Sequence, residues 1–256
     1  MNKVFPVKSL LVLITCLLIA ASAIANTPSH SNIRYSEDFE RSLLDLWLPD
    51  AENAAPVIIF FHGGGFKQGS KNWFPMRKEF LALTQQGIAV ASVGYPLLGD
   101  QGKSSSIGPA DYDKILTHTE RAIAFLREHS TEYKLDASRM VVAGSSAGAM
   151  ISQHLTYAAD FDISACIAIQ QPYAVQRVME VIDSGEPPLI LYTTSGPNDQ
   201  IHHPRYAQAV HHHCQALGVT SHLYGSQKND LPKLPDGKTF VTEATRILTQ
   251  LWASPE

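Results

Sequence analysis

The order of apolar and polar positions divides the chain into short stretches of two kinds. "SLLDLWLP" alternates, "VIIFF" is a brief continuous apolar run, and "IAVASVGY", "RMVVAG", "ISACIAIQ", "LILYTT" and "TSHLYG" read as strands. Between them, "PMRKEFLALTQQG", "DYDKILTHTERAIAFLREHS", "AGAMISQHLTYA", "AVQRVMEVID", "RYAQAVHHHCQALG" and "TFVTEATRILTQLW" carry helical spacing, two of them closing on Gly87 and Gly218. Strand and helix in turn predict an α/β chain with a mostly parallel sheet, helices on both faces and one domain. In such a sheet chemistry collects beyond the carboxyl ends of the strands. The loops after "VIIFF", "RMVVAG", "LILYTT" and "TSHLYG" are therefore the places to search.

Composition changes this picture little. The 256 residues are 45% hydrophobic and 17% charged, with a formal net charge of -4. No basic tract is present, so a nucleic-acid partner is not expected. The start of the chain differs from the rest. "MNKVFPVK" carries two lysines, "SLLVLITCLLIAASA" is uncharged, and Ala23-Ile24-Ala25 forms an A-x-A cleavage pattern. The apolar run is shorter than the ~20 residues a membrane span needs. The expectation is a signal peptide over 1–25 and a domain over 26–256. The protein would be exported, periplasmic or secreted, with no membrane span left after cleavage. Cys166 and Cys214 sit in apolar segments and read as buried free thiols, although a bridge is compatible with the sequence.

After "RMVVA" comes "GSSAG", the G-x-S-x-G pattern at a strand–turn–helix junction. A serine on a sharp turn stands its hydroxyl above the sheet, and the turn leaves no room for side chains at Gly144 and Gly148. Ser146 is the nucleophile candidate. Attack on a carbonyl creates an oxyanion, which needs preorganised N–H donors. Ala147 supplies one. "HGGG" after "VIIFF" supplies more, because Gly64 and Gly65 can present bare backbone there.

Taken together, "HGGGFKQGSK", "GSSAG" and the preceding "LLDLWLP" resemble the α/β-hydrolase fold. More narrowly they resemble small bacterial esterases of the feruloyl/acetyl esterase and hormone-sensitive-lipase-like type, from about Asp45 to the closing helix. The resemblance implies hydrolysis of a small carboxylic ester by a Ser–His–Asp triad, with neither metal nor organic cofactor. It places the acid in "LILYTTSGPNDQ", at Asp199, and gives His62 a supporting role in the glycine loop. Only Gln170 to Pro187 lie between two strands, too few for a helical lid, so an open pocket for short acyl chains or esters on larger sugars is expected. The resemblance says nothing about oligomeric state.

One residue departs from the pattern. The histidine should follow the last strand, but "GSQKNDLPKLPDGKTF" contains none. Asn229 lies near the expected position, and an amide cannot accept a proton at neutral pH. His202 and His203, just after Asp199, are the substitutes. His203 is preferred because Pro204 fixes its backbone. A base so close to its acid requires unusual loop geometry. The other reading is a catalytically impaired homologue that binds a ligand or partner through the same pocket. His211, His212 and His213 point ~100° apart on a helix and do not form an i, i+4 metal pair.

Overall fold

The computed structural model describes residues 27–74, 76–101 and 108–253. The signal-like stretch lies outside them. Eight strands form one sheet: β1 (His30–Arg34), β2 (Leu43–Trp47), β3 (Ala55–Phe61), β4 (Ala89–Val93), β5 (Leu135–Ser145), β6 (Ala165–Ile169), β7 (Leu189–Tyr192) and β8 (Ser221–Tyr224). Their order is β1-β2-β4-β3-β5-β6-β7-β8. The first two strands join antiparallel, and from β4 onward every pairing is parallel. The helices are α1 (Arg77–Leu81), α2 (Pro109–Glu128), α3 (Ala147–Tyr157), α4 (Val175–Met179), α5 (Pro204–Ala216) and α6 (Phe240–Ala253). Short 3-10 turns cover Ala82–Gln86 and Leu98–Gln101.

The apolar run "VIIFF" becomes the middle of the sheet because both of its faces are covered. In a strand, successive side chains point to opposite faces. Accordingly Val57, Ile59 and Phe61 pack in one core with Ile115, Ile123 and Leu126 of α2 and Ile151 and Leu155 of α3. Ile58 and Phe60 pack in the other with Phe80 of α1 and Phe240 and Leu248 of α6. All seven residues of β3 are buried. Burying each large apolar side chain stabilises by about 1.5–3 kcal/mol, so truncating Phe60 would cost roughly 3–5 kcal/mol. A third cluster continues across β6 and β7, where Cys166, Leu189 and Leu191 meet Val178 of α4 and Val210 and Cys214 of α5. Both cysteines are buried and unbridged.

The rigid centre fixes where the loops emerge. β3, β5 and β7 end on the same edge, and the segments that follow them carry the glycine loop, Ser146 and Asp199. Among the described residues no helix is long and apolar enough to cross a membrane.

Candidate active site

Ser146 sits between β5 and α3 with φ 58 and ψ -117, a backbone conformation that a residue with a Cβ rarely adopts. Two glycines make it possible. A Cβ on Gly144 would lie 2.0 Å from the carbonyl oxygen of Gly148, and one on Gly148 would lie 2.0 Å from that of Phe61. Neither neighbour is a flexible side chain, so the turn tolerates only glycine at both positions. The Ser146 N–H donates to Ile169 O at 2.9 Å, tying the turn to the end of β6. Helix α3 starts immediately after, and its N-terminal dipole favours negative charge at the serine.

The glycine loop packs onto this turn from the end of β3. A Cβ on Gly63 would meet Ser145 O at 2.8 Å and Ser146 Cβ at 3.2 Å. Gly64 and Gly65 have φ of 116° and 62°, and only Gly65 lines the cleft that holds Ser146 and Ala147. The two glycines, treated alike from the sequence, therefore differ. A Cβ on Gly64 would strike Gln68 O at 2.0 Å, while one on Gly65 meets nothing within 4 Å. No described residue accepts a hydrogen bond from the N–H of Gly64, Gly65 or Ala147. His62 is buried beneath the loop. It contacts Gly63 O through Nδ1 at 2.7 Å, stacks on Tyr95 at 4.2 Å, and its carbonyl accepts from the Tyr95 hydroxyl at 2.7 Å. Burial lowers its pKa to about 4, so it stands neutral as a support. Gly69 must approach this ring, since a Cβ there would lie 2.4 Å from His62 Nδ1.

His202, not His203, reaches the serine: its Nε2 lies 2.8 Å from Ser146 Oγ. Of the two substitutes named from the sequence, it is His202 and not the preferred His203 that the structure brings to Ser146. Pro204 does fix His203, but as the N-cap of α5, where its Nδ1 accepts the N–H of Arg205 at 3.1 Å and its ring leans on Tyr206. The unusual loop geometry is supplied by Asp199. Its Oδ1 accepts the N–H of Ile201 at 2.9 Å and of His202 at 2.8 Å, curling the chain so that the His202 ring returns over the acid. Asp199 Oδ2 then faces His202 Nδ1 at 3.3 Å and accepts the Ser195 hydroxyl at 2.7 Å. Burial raises the Asp199 pKa, but the Ser195 hydroxyl and the N–H groups of His202 and Ile201, with the His202 ring beside it, outweigh that and hold the carboxyl at about 2.

Asn229, near the position where the resemblance led one to expect the base, has a structural task. It is buried, donates to Thr193 O at 3.1 Å and Ser195 O at 2.8 Å, and accepts from the N–H of Ser226 and Leu231 at 3.3 Å each. Ser195 was not singled out in the sequence. A hydroxyl four residues before the acid in "TTSGPND" was the available signal. A second serine–histidine contact, Ser42 to His118 at 2.8 Å, is buried and ties the segment just before β2 to α2.

The cleft at Ser146 has a volume of about 330 Å³ and is walled by Phe66, Tyr112, Met150, Pro172 and the exposed Tyr173 and Ile201. A larger cleft of about 630 Å³ lies on the far side of His62 and does not include Ser146. Its Arg41 and Lys71 are already paired with Asp100 and Asp45. Among the described residues no group of three His, Cys, Asp or Glu side chains is placed to hold a metal.

A strained serine after a central parallel strand, backed by a glycine loop and facing a histidine and an aspartate from the loop after β7, fits the strand–turn–helix serine and glycine loop of an α/β-hydrolase. A family model gives the narrower assignment: the BD-FAE model matches residues 44–210, and the chain belongs to that family. Similar curated proteins include neuroligin-like protein glit-1 of Caenorhabditis elegans, 32% identical over 111 residues, covering 41% of this chain and 14% of that protein. Probable carboxylesterase M8 of Phoma sp. is 29% identical over 126 residues, covering 48% and 39%. The matched region thus spans well under half the length of these relatives. Among solved structures, Thermogutta terrifontis esterase 2 phosphoramylated by tabun shares the fold with a TM-score of 0.67 at 16% identity, covering 88% of this chain and 96% of that one.

Proposed function

We propose that the protein hydrolyses small carboxylic esters through an acyl-enzyme on Ser146, with His202 as general base and Asp199 as the acid. The observation that carries the reading is the 2.8 Å contact between Ser146 Oγ and His202 Nε2. A serine hydroxyl is a weak nucleophile until a neighbour takes its proton. With Nδ1–H turned to Asp199, Nε2 is the free acceptor. As Oγ bonds to the substrate carbonyl carbon, its proton passes to Nε2 and the carbonyl π electrons move to oxygen. That oxyanion is met by the N–H groups of Ala147, Gly64 and Gly65, and by the α3 dipole. Collapse expels the alcohol, which takes the proton from His202. Water then attacks the acyl-enzyme with His202 again as base, releasing the acid and restoring Ser146.

The likeness to probable carboxylesterase M8 supports the reaction class. The open, mostly apolar cleft supports short acyl groups, with the alcohol side free to extend over Tyr173 and Ile201. The other reading, a catalytically impaired homologue that binds a ligand or partner through the same pocket, is the one the fluorophosphonate test separates from this proposal; the His202 contact to Ser146 supports the active reading. Export belongs to the same proposal and rests on the signal-like residues 1–25. N-terminal sequencing of protein recovered from the periplasm or medium should begin near Asn26, and an intact Met1 in the cytosol would contradict it.

A fluorophosphonate probe tests the reaction itself. It forms an Oγ–P bond only where the serine is activated. Labelling of the wild type and not of Ser146→Ala is the expected result. A folded wild type that stays unlabelled would defeat the proposal.

A further inference from the structure

Ser146 and Asp199 follow different strands, β5 and β7, and β6 lies between them. Their separation therefore depends on what joins the three strand ends. Gln170, the first residue after β6, is held at φ 54, a left-handed conformation unusual for a residue with a Cβ. Such outliers persist only where the surroundings over-determine them, and they cluster at working sites. Here the surroundings are specific. Gln170 Oε1 accepts the Thr193 hydroxyl at 2.6 Å and the Thr194 N–H at 3.1 Å, and Nε2 donates to Thr194 Oγ1 at 2.9 Å. Its own N–H donates to Tyr192 O at 2.8 Å.

These bonds complete a ring. The Ser146 N–H holds Ile169 O, adjacent to Gln170, at 2.9 Å. Gln170 holds Thr193 and Thr194. The Thr193 hydroxyl accepts the Ser195 N–H at 3.3 Å, and the Ser195 hydroxyl donates to Asp199. Asp199 turns His202 back to Ser146. Asn229 grips the same Thr193–Ser195 segment from the β8 side, so it fixes the segment without relating it to the serine. Among these side chains, Gln170 makes the link between the β6 end, which holds the serine turn, and the acid loop.

We propose that Gln170 is a positioning residue for the reaction at Ser146, keeping Ser195, Asp199 and His202 in register with the serine turn. The inference rests on the triad reading above. Gln170 is not among the residues that wall the cleft, so its effect falls on turnover and not on substrate binding.

Gln170→Gly removes the clamp while accepting the positive φ at no steric cost. It should melt within a few degrees of the wild type, with kcat roughly 10- to 100-fold lower, the penalty of a reacting group displaced by about 1 Å, and KM nearly unchanged. Gln170→Asn tolerates the same backbone but falls one methylene short, and should behave likewise. Gln170→Glu keeps the acceptor for Thr193 and Thr194 and should restore kcat. Crystal structures of the variants read the geometry independently of turnover. In Gln170→Gly and Gln170→Asn the Ser146–His202 contact should lengthen past hydrogen-bond reach. Wild-type kcat or an unmoved contact in both variants overturns the proposal. Should Ser146→Ala hydrolyse esters as fast as the wild type, the triad reading falls, and the crystallographic contact still decides whether Gln170 sets the geometry.

Discussion

Gly64 and Gly65 are adjacent and chemically identical, yet the structure assigns them different costs. Placing alanine at Gly65 brings its Cβ within 4 Å of no atom, so the only native penalty is φ 62. A left-handed residue with a Cβ costs about 1–2 kcal/mol. Loss of glycine's freedom in the unfolded chain returns about 0.4–1 kcal/mol. The net is about 1 kcal/mol, or a fall of roughly 2–4 °C in Tm for a chain of this size. At Gly64 the φ of 116° is less accessible still, and the new Cβ would sit 2.0 Å from Gln68 O. That carbonyl belongs to the turn closed by the bonds from Lys67 N and Gln68 N to Gly64 O, at 3.1 and 3.2 Å, so it cannot retreat without opening the turn. Strain of about 1–3 kcal/mol and overlap of similar size, less the same unfolded-state return, net to about 3 kcal/mol, or roughly 6–12 °C. Function should run the other way relative to stability. The Gly65→Ala methyl enters the cleft beside Ser146 and should lower kcat/KM for 4-nitrophenyl acetate roughly 10- to 100-fold while the fold is nearly intact. Calorimetry and steady-state kinetics on the two variants suffice. Equal melting temperatures, or full turnover in Gly65→Ala, would refute the reasoning.

Three further outcomes follow from the same geometry. Asn229→His, in the loop after β8 where the resemblance led one to expect the base, should not raise turnover, because the buried amide already uses four hydrogen bonds and His202 already lies against Ser146; it should instead destabilise by roughly 2–4 kcal/mol, seen as an early thermal or urea transition. Asp199 has its folded pKa held at about 2, below its ordinary value near 3.8, so its contribution is fully present above pH 4 and is lost as pH falls through about 2; for a carboxylate one-third exposed this is roughly 1 kcal/mol, and Asp199→Asn should lack that part of the acid loss in a urea-melt series. Chain-length comparison should favour acetyl and butyryl over palmitoyl nitrophenyl esters, since the cleft at Ser146 holds about 330 Å³.

What could be read from the sequence divides along a physical line. The serine turn was legible because its requirements are local: a strand, two glycines at fixed spacing and a helix carry all the information, and the overlaps at Gly144 and Gly148 show why. The central strands were legible because burial on both faces leaves a continuous apolar run. β1 escaped notice because "HSNIR" is an edge strand, largely exposed, with no alternation to betray it. The choice between His202 and His203 was not legible, since neighbouring residues differ only in direction. That direction is set by two N–H bonds to Asp199 Oδ1 and by the capping bond that draws His203 into α5. The tasks of Gln170 and Asn229 depend on partners 23 to 36 residues away, which only the assembled sheet brings together.

The central claim is that the base is His202, in the loop after β7. Its most direct test compares kcat for 4-nitrophenyl acetate in Ser146→Ala, His202→Ala and His203→Ala. Triad members act as a unit, so losing the base should cost nearly as much as losing the nucleophile. The account expects His202→Ala to fall as far as Ser146→Ala, and His203→Ala to keep near wild-type turnover with only the ~1 kcal/mol loss of a helix cap. Wild-type turnover in His202→Ala, or a collapse in His203→Ala matching that of Ser146→Ala, would contradict it.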